Sequence, residues 1–438
     1  MAGKKRSGLA NDRRAYLYSC SITQFMLVTY NGNTNTGGTA PTDGSSPYSA
    51  GSTVTVLGNS GSLAKTGFTF AGWNTEANGS GTSYSQGNTF TISANTTLYA
   101  RWTPLPSVLP PTSLSGVGGD QAAYILFTQS GTVTNYEYST DDGVTFLPFD
   151  PPQNFSPVEI NTLSSDGVTR LTNGTEYTVK LKAVNSGASS TESVSVVVTP
   201  AITSLLATNR LIYLDATNSS SYSGSGTTWT NLDSGGAYSA TLQNSPTFDN
   251  INKWFTFDGI NQIAQIAAAS AINPTVPDAS FTIQIWARVN TTSPNFISGD
   301  GLISKQFGSS NDYDGYSLSL SKNNSAVILN MNGSSVNGNY GSSAGVYSNG
   351  WALYTIVVRF GGGSSRPSYA YVSTRRVVTA NNGESSIPSQ APLQFPRGIQ
   401  DTGANFCPAD VGAFYLYNTT LSQENIIRNY DATKPTYV

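Results

Sequence analysis

Apolar residues along this chain mostly fall at every second position, in short runs cut by Gly, Asn, Ser, Asp and Pro. That spacing is the period of a strand with one buried face. Ser52-Thr-Val-Thr-Val-Leu alternates cleanly, as does Tyr316-Ser-Leu-Ser-Leu-Ser, whose serine face is expected to be wet or to pack on a partner. In Phe281-Thr-Ile-Gln-Ile-Trp-Ala-Arg-Val, one face holds Phe281, Ile283, Ile285, Ala287 and Val289, and the other holds Trp286 and Arg288. Trp351-Ala-Leu-Tyr-Thr-Ile-Val-Val-Arg-Phe is apolar on both faces, which predicts a central strand covered on both sides. One clear helix is predicted, at the C-terminus. Ser422 is its N-cap, Glu424 sits near its positive end, and Leu421 with Ile426 forms a staple. Ile426, Ile427 and Tyr430 would pin that helix against a sheet.

Composition sharpens this picture. Charged residues are 11% of the 438, against roughly a quarter in ordinary soluble proteins. Gly, Ser, Thr and Asn take their place, while aromatics reach 11% and the net charge is only −3. Charge-driven disorder is excluded, and an all-β chain with uncharged polar surfaces is expected. There is no histidine, which removes the usual general base and the commonest metal ligand. Cys20 and Cys407 are read as two thiols rather than a bridge.

No apolar run is long enough to cross a membrane as a helix. Residues 1–20 form a basic arm with Lys4, Lys5, Arg6, Arg13 and Arg14. Such an arm can dock on nucleic acid or an acidic surface, or simply stay solvated. The run from Ala15 onward is too polar for the core of a signal peptide, so assembly in a cytosol is expected.

Beyond the arm the chain falls into four stretches. Residues 21–103 contain Gly67-Phe-Thr-Phe-Ala-Gly-Trp and Leu98-Tyr-Ala-Arg-Trp. Together these resemble the internalin-B-type, or Listeria–Bacteroides, repeat, which implies a small β-grasp-like module with Trp73 and Trp102 as core pins. Residues 104–111 are a Pro-rich linker. In residues 112–200, Leu171-Thr-Asn-Gly-Thr-Glu-Tyr and Ser193-Val-Ser-Val-Val-Val-Thr-Pro resemble a fibronectin type III domain, with Tyr177 as a structural corner. Residues 201–438 open with Leu211-Ile-Tyr-Leu-Asp, the anchor Trp229 and Trp254-Phe-Thr-Phe-Asp-Gly, and close with Leu421-Ser-Gln-Glu-Asn-Ile-Ile. They resemble the laminin-G-like, concanavalin-A-like jelly roll of large DNA virus and phage structural proteins. The fold expected is therefore three all-β modules in series, with Trp73, Trp102, Tyr177, Trp229, Trp254 and Trp351 as core residues.

Candidate chemistry is sparse. Glycosidases of such folds need paired carboxylates about 5–9.5 Å apart. From residue 201 onward the only glutamates are Glu384 and Glu424, so no enzyme activity is expected. Asp300, Asp312 and Asp314 lie in Gly-rich loops and could hold calcium, although turn formation explains them equally. Trp286, Tyr313, Tyr316 and Tyr371 are candidates for stacking on sugar rings, against packing as the alternative.

The resemblance implies a non-enzymatic virion component, a minor capsid, vertex or fibre-like protein, contacting other capsid proteins or its own copies. A carbohydrate-binding adhesin at a cell surface, gripping host glycans, is the alternative.

Overall fold

The computed structural model describes residues 24–105, 107–269, 272, 280–297, 300–307, 314–321, 326–331, 334–338, 350–359, 367–380, 391–397 and 406–438. The basic arm, Cys20, Asp312 and Tyr313 lie outside these residues, as do the side chains of Asp314 and its neighbours. The chain is all-β apart from short 3-10 turns and the helix Gln423–Thr433. It divides into two compact units, the first running to Ser107 and the second holding Val108–Asn185 and Ser189–Val438.

The first unit is built on a four-stranded sheet. Its order is Val28–Asn31, Thr96–Pro104, Phe68–Asn74 and Ser83–Tyr84. The first two of these pair in parallel, with Tyr30 opposite Leu98, and the rest are antiparallel.

Trp73 is wholly buried, with its ring edge-on to Tyr30 at 4.7 Å. The two side chains share one peptide neighbourhood. Trp73 Nε1 donates to the Leu57 carbonyl at 2.8 Å, and the Leu57 N–H donates to the Tyr30 hydroxyl at 2.8 Å. Trp102 is half-buried and donates to the carbonyls of Gly32 and Asn33.

Gly72, between these aromatics, has φ of 101°, and a Cβ there would lie 2.6 Å from the Tyr84 carbonyl oxygen. Only glycine fits both demands. Buried Asn74 then shapes the next loop. Its amide donates to the Gly79 and Gly81 carbonyls, and its carbonyl accepts from the Glu76 and Gly81 N–H groups.

The second unit contains two sandwiches. In the smaller, the sheet Val158–Ile160, Ala122–Thr128, Thr112–Gly119 faces a sheet of Leu147–Pro148, Asn135–Ser139 and Tyr177–Asn185, the last pairing also with Val196–Val198. Its core includes Ile125, Tyr136, Val158, Val179 and Leu181. Tyr177 is half-buried, and its hydroxyl accepts the Thr172 N–H at 3.0 Å, closing a corner.

The larger sandwich has two antiparallel sheets. One centres on Ala409–Tyr417, Ser280–Val289 and Trp351–Arg359; the other includes Ile263–Ile266, Leu393–Phe395, Asp300–Phe307 and Asp314–Ser321. Phe281, Ile283, Ile285, Ala287 and Val289 line the space between the sheets, together with Trp229, Tyr316, Leu318 and Leu320. Trp286 points the other way, into a second apolar layer with Leu353, Val357, Tyr415, Tyr417 and Ile426. The first sheet is therefore covered on both faces, as its doubly apolar central strand requires.

Ser317 and Ser319 are buried, so of the two outcomes expected for the serine face of their strand, exposure to water is not the one found.

Candidate functional site

Of the expected sugar-stacking residues, the three that the structure describes occupy the interior. Trp286 and Tyr316 have no exposed surface and Tyr371 is 4% exposed, so none can offer a ring face to a ligand from solvent. The sequence marks these side chains as aromatic and strand-borne, but it does not say which face a helix or a second sheet will cover. Tyr316 fills the core against Phe281. Tyr371 joins the layer under the C-terminal helix. Trp286 is stacked between Tyr430 and Tyr437, and its Nε1 donates to the Thr433 hydroxyl at 2.8 Å.

Of the expected calcium ligands, Asp300 is buried and its Oδ2 accepts the Ile297 N–H at 2.8 Å. Among the described residues, no three acids or cysteines come together at metal-ligating distance. Cys407 is buried, and burial together with the nearby Asp300 charge pushes its thiol pKa up, away from thiolate reactivity.

Tertiary structure instead gathers polar chemistry at a joint within the second unit. The helix Gln423–Thr433 is wedged between the two sandwiches. Its cap is as expected, the Ser422 hydroxyl accepting from the Asn425 N–H. Ile426 enters the outer layer of the jelly roll, while the adjacent Ile427 packs with Val117, Ala122 and Tyr124 of the smaller sandwich.

Asp431 lies in the last turn, where the helix dipole disfavours an acid. It is buried and fully engaged. Its Oδ1 accepts from the Tyr124 hydroxyl at 2.7 Å, and its Oδ2 accepts from the Asp120 N–H and the Thr203 hydroxyl. Burial alone would raise its pKa. The Thr203, Asp120 and Tyr124 donors and the Lys434 charge outweigh that and hold it below the ordinary aspartate value.

Lys434 extends the network to Glu159 at 2.6 Å and to the Tyr124 hydroxyl. Gly119 makes room for it, since a Cβ there would lie 2.7 Å from an Asp431 oxygen. Asn429, also buried, donates to Gln284 and Tyr417 and accepts from the Leu206 N–H of the connecting segment. An acid placed against the helix dipole was the one sequence signal for this joint.

A second constellation lies on the outer face of the first sheet, beside the layer under the helix. Strand register sets Thr256 opposite Asp410, Asp410 opposite Arg288, and Arg288 opposite Trp351. Arg288 donates through Nε and Nη2 to Asp410 Oδ2, at 2.9 and 2.6 Å. Its guanidinium lies 4.9 Å from the ring centre of Trp254 and 5.4 Å from that of Trp351. Trp254 and Trp351, expected as core residues, are half-buried here.

The smaller sandwich also carries an open pocket of about 410 Å³ bordered by Tyr138, Phe149, Gln153, Glu159 and Asn161. Its ring-bearing floor is mostly buried, and the Gln153 amide is spent bridging the Glu159 backbone.

Residues 27–101 match the Listeria–Bacteroides repeat domain family. The chain is also similar to two proteins of Evansella cellulosilytica whose names describe membrane proteins, one of them Gly-rich. Identities are 42% over 76 residues and 40% over 94 residues. These alignments take in 17% and 21% of this chain but only 11% and 10% of the relatives, so the chain spans about a tenth of their length.

Among solved structures, similarity extends to the receptor-binding domain of a botulinum neurotoxin C/D mosaic serotype, at 13% identity and a TM-score of 0.37. It extends also to the binding domain of serotype G, at 15% and 0.38. Each comparison covers 51% of this chain and about half of the toxin chain, 51% and 50%.

Proposed function

We propose that this protein is a non-catalytic structural and attachment protein that presents a jelly roll at the outer surface of a virus particle. The observation that carries the reading is the joint. A helix shared by two sandwiches, with a buried acid satisfied from both sides of the connection, is how a chain makes a stiff body that holds a head at a fixed angle. Several of the described charged groups are committed to packing: Asp431, Glu159 and Lys434 are tied into the joint, and Arg210 is bound to Asp233. The resemblance of residues 201–438 to the jelly rolls of large DNA virus and phage structural proteins supports the particle setting.

Antibody labelling of intact particles and cells from the source tests this. The reading expects labelled particles, with the protein abundant in purified particles by mass spectrometry. Label confined to cell envelopes overturns the virion setting. Turnover on a panel of polysaccharides overturns the non-catalytic part.

A second reading, an adhesin at a cell surface, draws support from the similarity to proteins named for membranes and from the half-exposed tryptophans of the jelly roll.

A further inference from the structure

We infer that the outer-face row of Thr256, Asp410, Arg288 and Trp351, with Trp254 beside it, is a binding site for an uncharged pyranose sugar. This rests on the attachment reading and names its ligand class.

The row stands apart from the rest of its sheet face. Elsewhere that face is covered, with Trp286, Leu353, Ala413 and Tyr415 buried beneath the helix and the C-terminal segment and the polar Gln284 bonded to Asn429 of that helix. Tyr437 is the last ring of that cover. It lies 5.0 Å from both Trp286 and Trp351, and it fits because residue 412 is glycine, where a Cβ would lie 2.1 Å from its ring. Beyond Tyr437 the tryptophans become half-exposed and the strands turn polar. Arg288 retains 35% and Asp410 17% of side-chain exposure, and Thr256 is exposed.

A partly exposed ion pair contributes modestly to stability, and the place of this one, at the uncovered end of the sheet face beside two half-buried tryptophans, suits it to recognition. Two tryptophans supply apolar surface for the C–H face of a sugar ring. Asp410 is engaged on both oxygens, by the Thr256 hydroxyl at Oδ1 and by Arg288 at Oδ2, so the groups offered to neighbouring sugar hydroxyls are the remaining guanidinium N–H donors and the accepting lone pairs of the Thr256 hydroxyl. The bonds to Asp410, and the neighbouring indoles of Trp254 and Trp351, which pack edge-on to each other at 5.4 Å, hold the guanidinium in place before any ligand arrives, which lowers the ordering cost of binding. One positive and one negative group cancel, so the row favours a neutral sugar over a sialylated or sulfated one.

The test is a glycan array followed by calorimetric titration of the full chain with neutral oligosaccharides. Trp254→Ala and Asp410→Asn should each weaken binding at least tenfold. Thr256→Arg adds a side chain at an exposed position and should block the site at the cost of one surface hydrogen bond to Asp410, so the protein still folds and the thermal unfolding curve shifts only slightly, which keeps the test valid if Trp254→Ala fails to fold. Binding of neutral glycans that survives Thr256→Arg overturns the site. Binding only of acidic glycans, weakened by salt, overturns the ligand class. Absence of binding to every glycan overturns the inference, while particle labelling judges the attachment reading separately.

Discussion

Tryptophan does different work in the two units. In the first, Trp73 and Trp102 donate to the carbonyls of Leu57, Gly32 and Asn33, which belong to loops of the same small module. The indoles fill a core too small to be deep and tie down the loops around it. In the jelly roll, Trp286 donates to Thr433, 147 residues further along the chain, on the helix that also packs against the neighbouring sandwich. A large sandwich already has a sufficient core between its sheets, so an indole on the outer face is available to dock another element. Trp229, inside that core, shows the contrast within one domain: its ring packs on Phe255 while its Nε1 has no hydrogen-bond partner among the described residues.

Four measurements would break or sharpen this comparison. The largest effect is expected from Trp73→Ala, about 3–5 kcal/mol, because a fully buried indole is lost from a small core. Limited proteolysis should then cut residues 24–105 while the second unit stays resistant. Equal loss of protection in both units would show that Trp73 is not a local pin.

Next comes Asp431→Ala, at about 3 kcal/mol, since it leaves the Tyr124, Asp120 and Thr203 donors without their acceptor, while Lys434 keeps only Glu159 as a charged partner. Calorimetry should show the single transition of the second unit split into two as the sandwiches uncouple. Acid should act in the same direction. The folded pKa of Asp431 is held below its unfolded value, so its contribution is present above the unfolded pKa of 3.8 and is lost as pH falls from there through the folded value.

A smaller and opposite effect is expected at Lys305, a buried amine that donates to the Ala391 carbonyl. Burial pushes its pKa down from 10.5 to about 8. Between those values the unfolded chain binds the extra proton, so the folded state gains on the unfolded as pH rises. Lys305→Met should therefore be more stable than the parent at neutral pH. That advantage should shrink by about 1.4 kcal/mol per pH unit across the window, as read by urea unfolding. The smallest change is expected from Glu424→Gln, which removes an exposed pair with Arg428 worth about 0.3–0.5 kcal/mol. A loss of more than about 1 kcal/mol would give the helix start a larger role than its cap explains.

Much of the fold was legible because it rests on local rules. The alternation in Phe281–Val289 assigns each side chain to its face, and the doubly apolar run from Trp351 marks a central strand. Ser422 and the Leu421–Ile426 pair locate the helix. The site was much less legible. Trp286 and Trp254 look alike in sequence, each flanked by strand residues, yet one is sealed under Tyr430 and Tyr437 while the other is half-exposed beside Arg288. The difference depends on how far a C-terminal segment reaches across the sheet, a distance no local pattern encodes.

The order of hydrophobic and polar residues by itself determined the all-β class, the faces of the long strands and the capped terminal helix. Each of these follows from backbone geometry and burial within a few residues. Only the tertiary structure decided that Ile426 and Ile427 serve different sandwiches, that Asp431 closes a joint with Asp120 and Tyr124, and that Thr256, Asp410, Arg288 and Trp351 form one row. Those groups lie far apart along the chain and meet because sheet register and helix docking bring them together.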